Sequence, residues 1–395
     1  MYRVMFVDDE KAVLDGLRRG LRGQTPVWDM QFVDSPTRAL ALMGDSPVDA
    51  VVADFKMPGM NGGQLLGEVR ERWPDTSRLM LSGHTDEDDL LGVVSVAHRF
   101  LDKPCPRATL IKAIEQTLLL RSTLDGETVR GEIAGIGLLP TGATTMHRLR
   151  ACLNDPRPDL AEVAIIVEGD VGLTVNVLQL ANSALFPGGG QVTSIPGALQ
   201  MLGLTAIGSL ALLRGLLEPS TRPNVAGSWL DDLNAHAALT ARLAAKFARP
   251  EEAADAFCAA LVQESGQLVL ASCRPASFQR ILSTSHDSAE TRRAIELAEF
   301  GVTHAQAGAY LLGLWGFPAT IVELVAHHDL QPSGQTGLGT QSAADAIRTA
   351  RAIAHRHLAP ICPVEKDHAI HPDDAVNEIA HEVLRDAWLP YETAA

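Results

Sequence analysis

Over the first 120 residues, short apolar runs alternate with stretches whose apolar positions recur every three or four residues. YRVMFV (2–7), DMQFV (29–33), DAVVAD (49–54), SRLML (77–81) and HRFLD (98–102) have the length and composition of strands, while KAVLDGLRRGL (11–21) and GGQLLGEVRERW (62–73) have the period of amphipathic helices. Five such units predict an α/β domain: a doubly wound, five-stranded parallel sheet covered by helices on both faces. From about residue 130 the strand signals stop, and Ala/Leu-rich helical segments joined by Gly/Pro loops predict an all-α region. The segment between, LIKAIEQTLLLRSTLDGETVRGEIAGIGLLP, begins with helical spacing and loosens at Gly126, Gly131, Gly135 and Gly137. The pattern therefore divides the chain into an α/β domain over 1–122, a linker over 123–135 continuing from its last helix, and a multi-helix domain over 136–395. One stretch breaks the helical pattern: CAALVQESGQLVLAS (258–272) interrupts an apolar run with Gln263, Glu264, Ser265, Gly266 and Gln267. Buried polar groups cost several kcal/mol unless partnered, so this gap needs a reason.

Composition narrows the picture. A length of 395 residues, 46% of them hydrophobic, suits two or three folded domains. No long stretch reads as a membrane span, and MYRVMFVDDE brings acid after a short apolar run, so the expectation is a cytoplasmic protein with no membrane partner. Five scattered cysteines without a C-x-x-C pair make neither a disulfide framework nor a zinc ribbon. The net charge is −15, most of it after residue 122, where 30 acids face 18 bases. That sign repels phosphate backbones and argues against nucleic acid as a direct partner.

The predicted strands end in chemically suggestive residues: Asp8 and Asp9 after the first, Asp54 at the third, Ser82 after the fourth, Lys103 after the fifth. In a doubly wound sheet these carboxyl ends meet at the crevice where the strand order reverses. Three carboxylates crowded together favour a hard cation such as Mg²⁺. Taken singly, the acidic run DDE is better read as a helix N-terminus, where acids favour the macrodipole. With ADFKMPGMNG, LMLSGH and FLDKP each at a strand end in order, the first 120 residues resemble the receiver domain of two-component response regulators. The resemblance implies that Asp54 accepts a phosphoryl group from a sensor histidine kinase, and that Asp8, Asp9, Asp54 and the backbone carbonyl of Lys56 serve Mg²⁺. It further implies that Lys103 and Ser82 contact the phosphoryl oxygens and that Phe100 is the aromatic switch position. The Lys103–Pro104 bond is expected cis. Lys56 and His84, flanking the pocket, depart from the family's usual residues.

A second resemblance begins near residue 136. The Leu-Pro opening at Leu139–Pro140, NSALF with Asn182 and Ser183, and IPGALQMLG ending at Gly203 are similar to an HDOD domain, a relative of the HD and HD-GYP phosphohydrolases. Asn182 and Ser183 read as helix-capping residues. In EGDVGLT, Val171 stands where relatives often have proline. The resemblance implies that the polar gap occupies the position of a metal-site wall, with Gln263 and Glu264 in place of the His-Asp pair and Gln267 in place of a lysine. Asp232, His236, His304, His327 and His328 match further ligand positions, whereas Arg351 stands roughly where the late acid belongs and the GYP signature is missing. The alternative for each histidine is a hydrogen-bonded core residue.

The expectation is a phosphorylation-dependent response regulator whose HDOD domain is noncatalytic, binds no cofactor, and acts through contacts with a downstream signalling protein or a second copy in a homodimer. The alternative is a receiver-controlled, metal-dependent HD-type phosphohydrolase acting on a cyclic dinucleotide.

Overall fold

A computed structural model of the chain describes residues 1–83, 93–183, 192–221, 227–284, 289–330, 339–358 and 383. His84 and the glycine-rich sequence FPGGGQ (186–191) lie outside them. Five parallel strands, β1 (Tyr2–Val7), β2 (Trp28–Val33), β3 (Ala50–Asp54), β4 (Ser77–Ser82) and β5 (Arg99–Asp102), pair in the order β2-β1-β3-β4-β5. This is the flavodoxin-like, doubly wound sheet the alternating pattern predicts. Because successive side chains point to opposite faces, β1 sends Val4 and Phe6 to one core and Met5 and Val7 to the other. The first core is closed by the helices Lys11–Gly20 and Arg107–Leu120 through Leu14, Leu110, Ile114 and Leu118. The second is closed by Pro36–Asp45 and Gly62–Arg72 through Met43, Leu65, Leu66 and Val69.

That second core does not stop at the sheet. It runs through Val96, Phe100, Leu124, Ile133, Ala134 and Leu138 into the helical domain, so the two domains share one continuous apolar interior. Between them the chain turns at Gly126, whose φ of 93° favours glycine, and forms a separate short helix, Glu127–Ala134. This helix packs on both Ser265–Cys273 and His304–Leu314 of the helical domain. Its last carbonyl, on Ala134, accepts from the buried Arg78 and His98 of the α/β domain, the latter at 2.9 Å. Asp75, whose neighbours Pro74 and Thr76 accept from the same Arg78, holds Arg121 at 2.7 Å and Arg130 at 3.1 Å.

In the helical domain the fully buried helix Val171–Ala181 is started by Asp170, whose carboxylate accepts from the backbone of Leu173 at 2.9 Å and of Gly142 at 2.8 Å. Valine is tolerated after Asp170 because the Val171 amide, which a proline would lack, donates to Asn234 at 3.0 Å. At the far end Asn182 caps the helix, donating to Leu178 O at 3.0 Å and pairing with the Val192 backbone, while Ser183 bonds Leu180 O. Around this helix pack Leu160–Glu168, Ile195–Thr221, Gly227–Phe247, Ala253–Val262 and Ser265–Cys273, and Ala343–Leu358 packs in turn on Gly227–Phe247 and Ala253–Val262.

Among the described residues two segments, Ile195–Leu212 and Ala253–Cys273, are long and apolar enough to cross a membrane by length and composition, against the expectation from the sequence that no stretch reads as a span. The second is two helices meeting at Gln263 and Glu264 and is largely buried in the protein. Its apolar character is that of a core.

Candidate functional site

The strand ends of the sheet bring Asp8, Asp9 and Asp54 together, with one oxygen from each within 4.8 Å of the others. Asp8 and Asp54 are buried and Asp9 is exposed. Lys103, which follows β5 and precedes a cis bond to Pro104, places its Nζ 2.8 Å from Asp8 Oδ2 and 2.6 Å from Asp54 Oδ1. Local structure explains the placement. The Lys103 amide donates to Ser82 O at 2.7 Å, and Gly62 lies so close under Asp54 that an added Cβ would sit 2.2 Å from the Asp54 carbonyl oxygen. Asn61 then starts the next helix through a reciprocal capping box with Gln64.

Burial raises the Asp54 pKa, and the Asp8 charge adds to it; the hydrogen bond and charge of Lys103 pull it back without cancelling the rise. Lys103 is shifted up because its bonds to Asp54 and Asp8 outweigh its burial. Ser82 is buried beside the pocket, and the Lys56 side chain is exposed two residues after Asp54. Phe100 is a core residue of β5, packed in the interior the two domains share. Its neighbour Arg99 crosses the boundary: one guanidinium nitrogen bonds Gln116 at 3.0 Å and the other Gly313 O of the helical domain at 2.9 Å.

The polar gap at 263–267 lies at the centre of a second cluster. Glu264 is buried where two helices meet, with Arg351 Nε 3.3 Å away and Gln267 donating to its other oxygen. His304 Nε2 and His328 Nε2 face it at 3.9 and 3.8 Å, and His236 Nδ1 at 4.0 Å. Burial alone would raise the Glu264 pKa, but Arg351 and the three imidazoles hold it well below the usual carboxylate range. Gly266 permits this convergence, since an added Cβ would lie 1.7 Å from His304 O. His304 is anchored through Nδ1 to Glu296 at 2.8 Å, and Glu296, itself paired with Arg292 at 3.0 Å, is held near a pKa of about 2 despite its burial.

Not every sequence candidate joins this cluster. His327 is exposed and bonds Glu323 O, because the helix Ala319–Ala326 ends there and turns the adjacent histidines to opposite sides. Asp232 is half-buried, and among the described residues of the helical domain the group able to share an ion is Glu264, His304 and His328 without it. Gln263 is fully buried, and neither atom of its amide has a hydrogen-bond partner among the described residues. Glu296, the buried His355, whose ring lies 4.2 Å from that of His236, and the contact of Arg351 escaped the sequence reading. The i,i+4 pair Arg292/Glu296 eight residues before His304 was the available signal.

A doubly wound sheet with three carboxylates and a lysine at its carboxyl edge, joined to an all-helical domain through a common core, defines the class: a receiver coupled to a helical output module. Family models agree, the response regulator receiver domain matching residues 4–115 and the HDOD domain residues 139–330. The chain belongs to the two-component response regulators that join a receiver domain to an HDOD domain. Its receiver is 38% identical over 117 residues to the hydrogenase transcriptional regulatory protein HoxA of Cupriavidus necator, a match covering 29% of this chain and 24% of that protein. A HoxA from Bradyrhizobium diazoefficiens is 30% identical over 140 residues, 35% of this chain and 27% of that one. The chain thus spans about a quarter of the length of these curated relatives. Among solved structures, the MmoQ response regulator of Methylococcus capsulatus is 22% identical, with 64% of this chain and 98% of that one covered and a TM-score of 0.48.

Proposed function

We propose that this response regulator takes a phosphoryl group on Asp54 from a sensor histidine kinase and delivers its output through protein contacts of the HDOD domain, without turnover of a small molecule. The observation that carries the reading is the convergence of Asp8, Asp9, Asp54 and Lys103 on one pocket, with Lys103 bridging two carboxylates. An Asp54 oxygen attacks phosphorus, the bond from phosphorus to the donor nitrogen breaks, and the donor leaves with that electron pair. The Lys103 ammonium lies 2.6 Å from the attacking carboxylate, placed to neutralise the transferred oxygens as they arrive. Ser82, buried at the end of β4, would donate its hydroxyl to the group once formed. Asp8, Asp9 and Asp54, with the Lys56 carbonyl, are the residues that would hold Mg²⁺, whose charge assists the same neutralisation when bound.

The noncatalytic reading of the HDOD domain is supported by Arg351, whose guanidinium lies against Glu264, the carboxylate that the three imidazoles face. A hydrolase working with two metal ions needs further anionic ligands at that place. The surplus of acid disfavours nucleic acid as a direct partner; a downstream signalling protein or a second copy of the chain, in the cytoplasm, suits it. Incubation with a small phosphodonor and Mg²⁺, followed by intact-mass measurement, tests the central step. The wild type should gain one phosphoryl group and Asp54→Asn none. A variant labelled as strongly as wild type would refute the assignment.

A further inference from the structure

The geometry points to a site for one divalent first-row transition-metal ion inside the helical domain, held by Glu264, His304 Nε2 and His328 Nε2. This goes beyond the phosphoryl chemistry of Asp54 and does not depend on it, and it departs from the expectation of a cofactor-free HDOD domain. The three ligand atoms lie within 4.8 Å of one another and come from separate segments: the junction of Ala253–Val262 with Ser265–Cys273, the first residue of His304–Leu314, and the turn after Ala319–Ala326.

The argument turns on which nitrogen of each imidazole carries hydrogen. His328 Nδ1 lies 2.7 Å from Val325 O, an atom that only accepts, and His304 Nδ1 lies 2.8 Å from the carboxylate of Glu296. Each neutral ring therefore has its hydrogen on Nδ1 and its lone pair on Nε2. Both Nε2 atoms are buried and have no hydrogen-bond partner among the described residues, and the carboxylate they face is too distant to be one. Two lone pairs and a carboxylate turned toward one buried point are unfavourable unless a cation lies between them. Anchoring the far nitrogen of a histidine on a carboxylate or carbonyl is also how proteins orient metal-binding imidazoles.

The donor set decides the class of ion. Two imidazoles and one carboxylate suit zinc, iron(II) or manganese(II) and not the all-oxygen preference of magnesium or calcium. Bonds of about 2.0–2.1 Å in a tetrahedral site separate ligand atoms by about 3.4 Å, so side chains now at 3.8 and 3.9 Å must close by about half an ångström. Arg351 and Gln267 each take one lone pair of Glu264, leaving others for the ion. Arg351 also places a fixed positive charge on one side of the cluster, which limits it to a single ion. Such an ion ties three helical segments together, a stabilising role.

Full-length protein carrying no affinity tag is stripped with chelator, incubated with Zn²⁺, desalted and analysed for metal, with its melting temperature recorded in parallel. We expect one zinc ion retained per chain and a melting temperature that rises with free zinc. Asp54→Asn should retain that ion, separating it from the receiver pocket, and His328→Gln should lose it. Should His328→Gln fail to fold, Co²⁺ absorption of the wild type gives the same test, tetrahedral ligand-field bands being the expected result. Wild type that retains no zinc, shows no thermal shift and gives only the spectrum of hydrated Co²⁺ would overturn the inference, as would an ion lost in Asp54→Asn and kept in folded His328→Gln.

Discussion

Replacing Gly266 by alanine sets two physical effects of opposite sign against each other. Gly266 lies in the first turn of Ser265–Cys273, where helix propensity alone favours alanine by up to about 1 kcal/mol. The added Cβ, however, would lie 1.7 Å from His304 O, 2.6 Å from the His304 carbonyl carbon and 2.9 Å from the Gly308 amide nitrogen. All three obstacles are backbone, so no side chain can rotate away, and the two helices must separate by about 1.5 Å to restore ordinary contact. Overpacking of a close-packed core costs about 1–3 kcal/mol, and a rigid obstacle puts this case at or above the upper end. The net expectation is a loss of about 2 kcal/mol, or about 4–8 °C in the melting temperature of the helical domain. Gly208→Ala is the control: it is also helical, but its Cβ meets nothing within 4 Å, so propensity acts alone and stability should rise slightly. Thermal unfolding followed by circular dichroism, with denaturant midpoints alongside, reads both. A Gly266→Ala protein as stable as wild type would refute the close helix crossing on which the His cluster depends.

Other perturbations test other parts of the molecule. Asp54 has a folded pKa raised chiefly by burial, so ionisation works against folding once the pH exceeds the folded pKa and costs nothing below the unfolded one. Asp54→Asn should therefore melt higher than wild type at neutral pH, with the gap closing as the pH falls through the ordinary carboxylate range; a gap that stays constant would contradict this. His98 is pushed well below the usual histidine value by burial and then by Arg78, against its bond to Ala134 O. Below pH about 6.5 the unfolded chain takes up a proton that the folded one refuses, so stability should fall with acidification over that range, and less steeply in His98→Gln. Arg99→Ala removes the bond to Gly313 O, worth about 1.5–3 kcal/mol for a charged donor. Amide exchange should quicken at the C-terminal end of His304–Leu314, while unchanged exchange would remove Arg99 from the interdomain linkage.

What the sequence made legible follows from how each site is written in it. The receiver pocket is assembled from short motifs at strand ends, and an alternating pattern fixes where strands end, so Asp8, Asp9, Asp54 and Lys103 were readable before any coordinates. The helical domain resists the same treatment because its cluster is drawn from helix junctions and helix ends. His327 and His328 are neighbours, and only the turn at the end of Ala319–Ala326 determines that His328 faces inward. Glu296 reads as one acid among several in AETRRAIELAEF until the fold places it beneath His304. The polar gap around Glu264 was visible as an anomaly, but its cause, four basic side chains converging from other helices, is tertiary. The same holds for the common core. Phe100 reads as an interior residue of a single sheet, and nothing in its spacing indicates that the interior continues into a second domain.

That continuity bears on how a signal crosses the molecule. The helix His304–Leu314 touches both functional regions. Its first residue faces Glu264, its N-terminus is fixed by a reciprocal capping box between Thr303 and Gln306, and near its other end Gly313 accepts from Arg99 and packs against Leu120. Eleven residues span about 16 Å, so a displacement at Gly313 is carried along a stiff element toward His304. On the receiver side Arg99 directly precedes Phe100 on β5, and β5 runs on to Lys103 beside Asp54. The bond from Arg99 to Gly313 O is of the same order as a typical allosteric coupling of about 1–3 kcal/mol, so the phosphoryl transfer proposed for Asp54 would have enough leverage to reset it. It does not have enough to expose the shared core, because each large apolar side chain returned to water costs about 1.5–3 kcal/mol, and Phe100, Leu124, Ile133 and Leu138 all lie in that core. The scale of these terms favours a local shift of the 304–314 helix over separation of the domains. Small-angle scattering should therefore be the same with and without a phosphoryl mimic while amide exchange in that helix changes, and an expanded profile would mean that the continuous core is not the barrier these magnitudes make it.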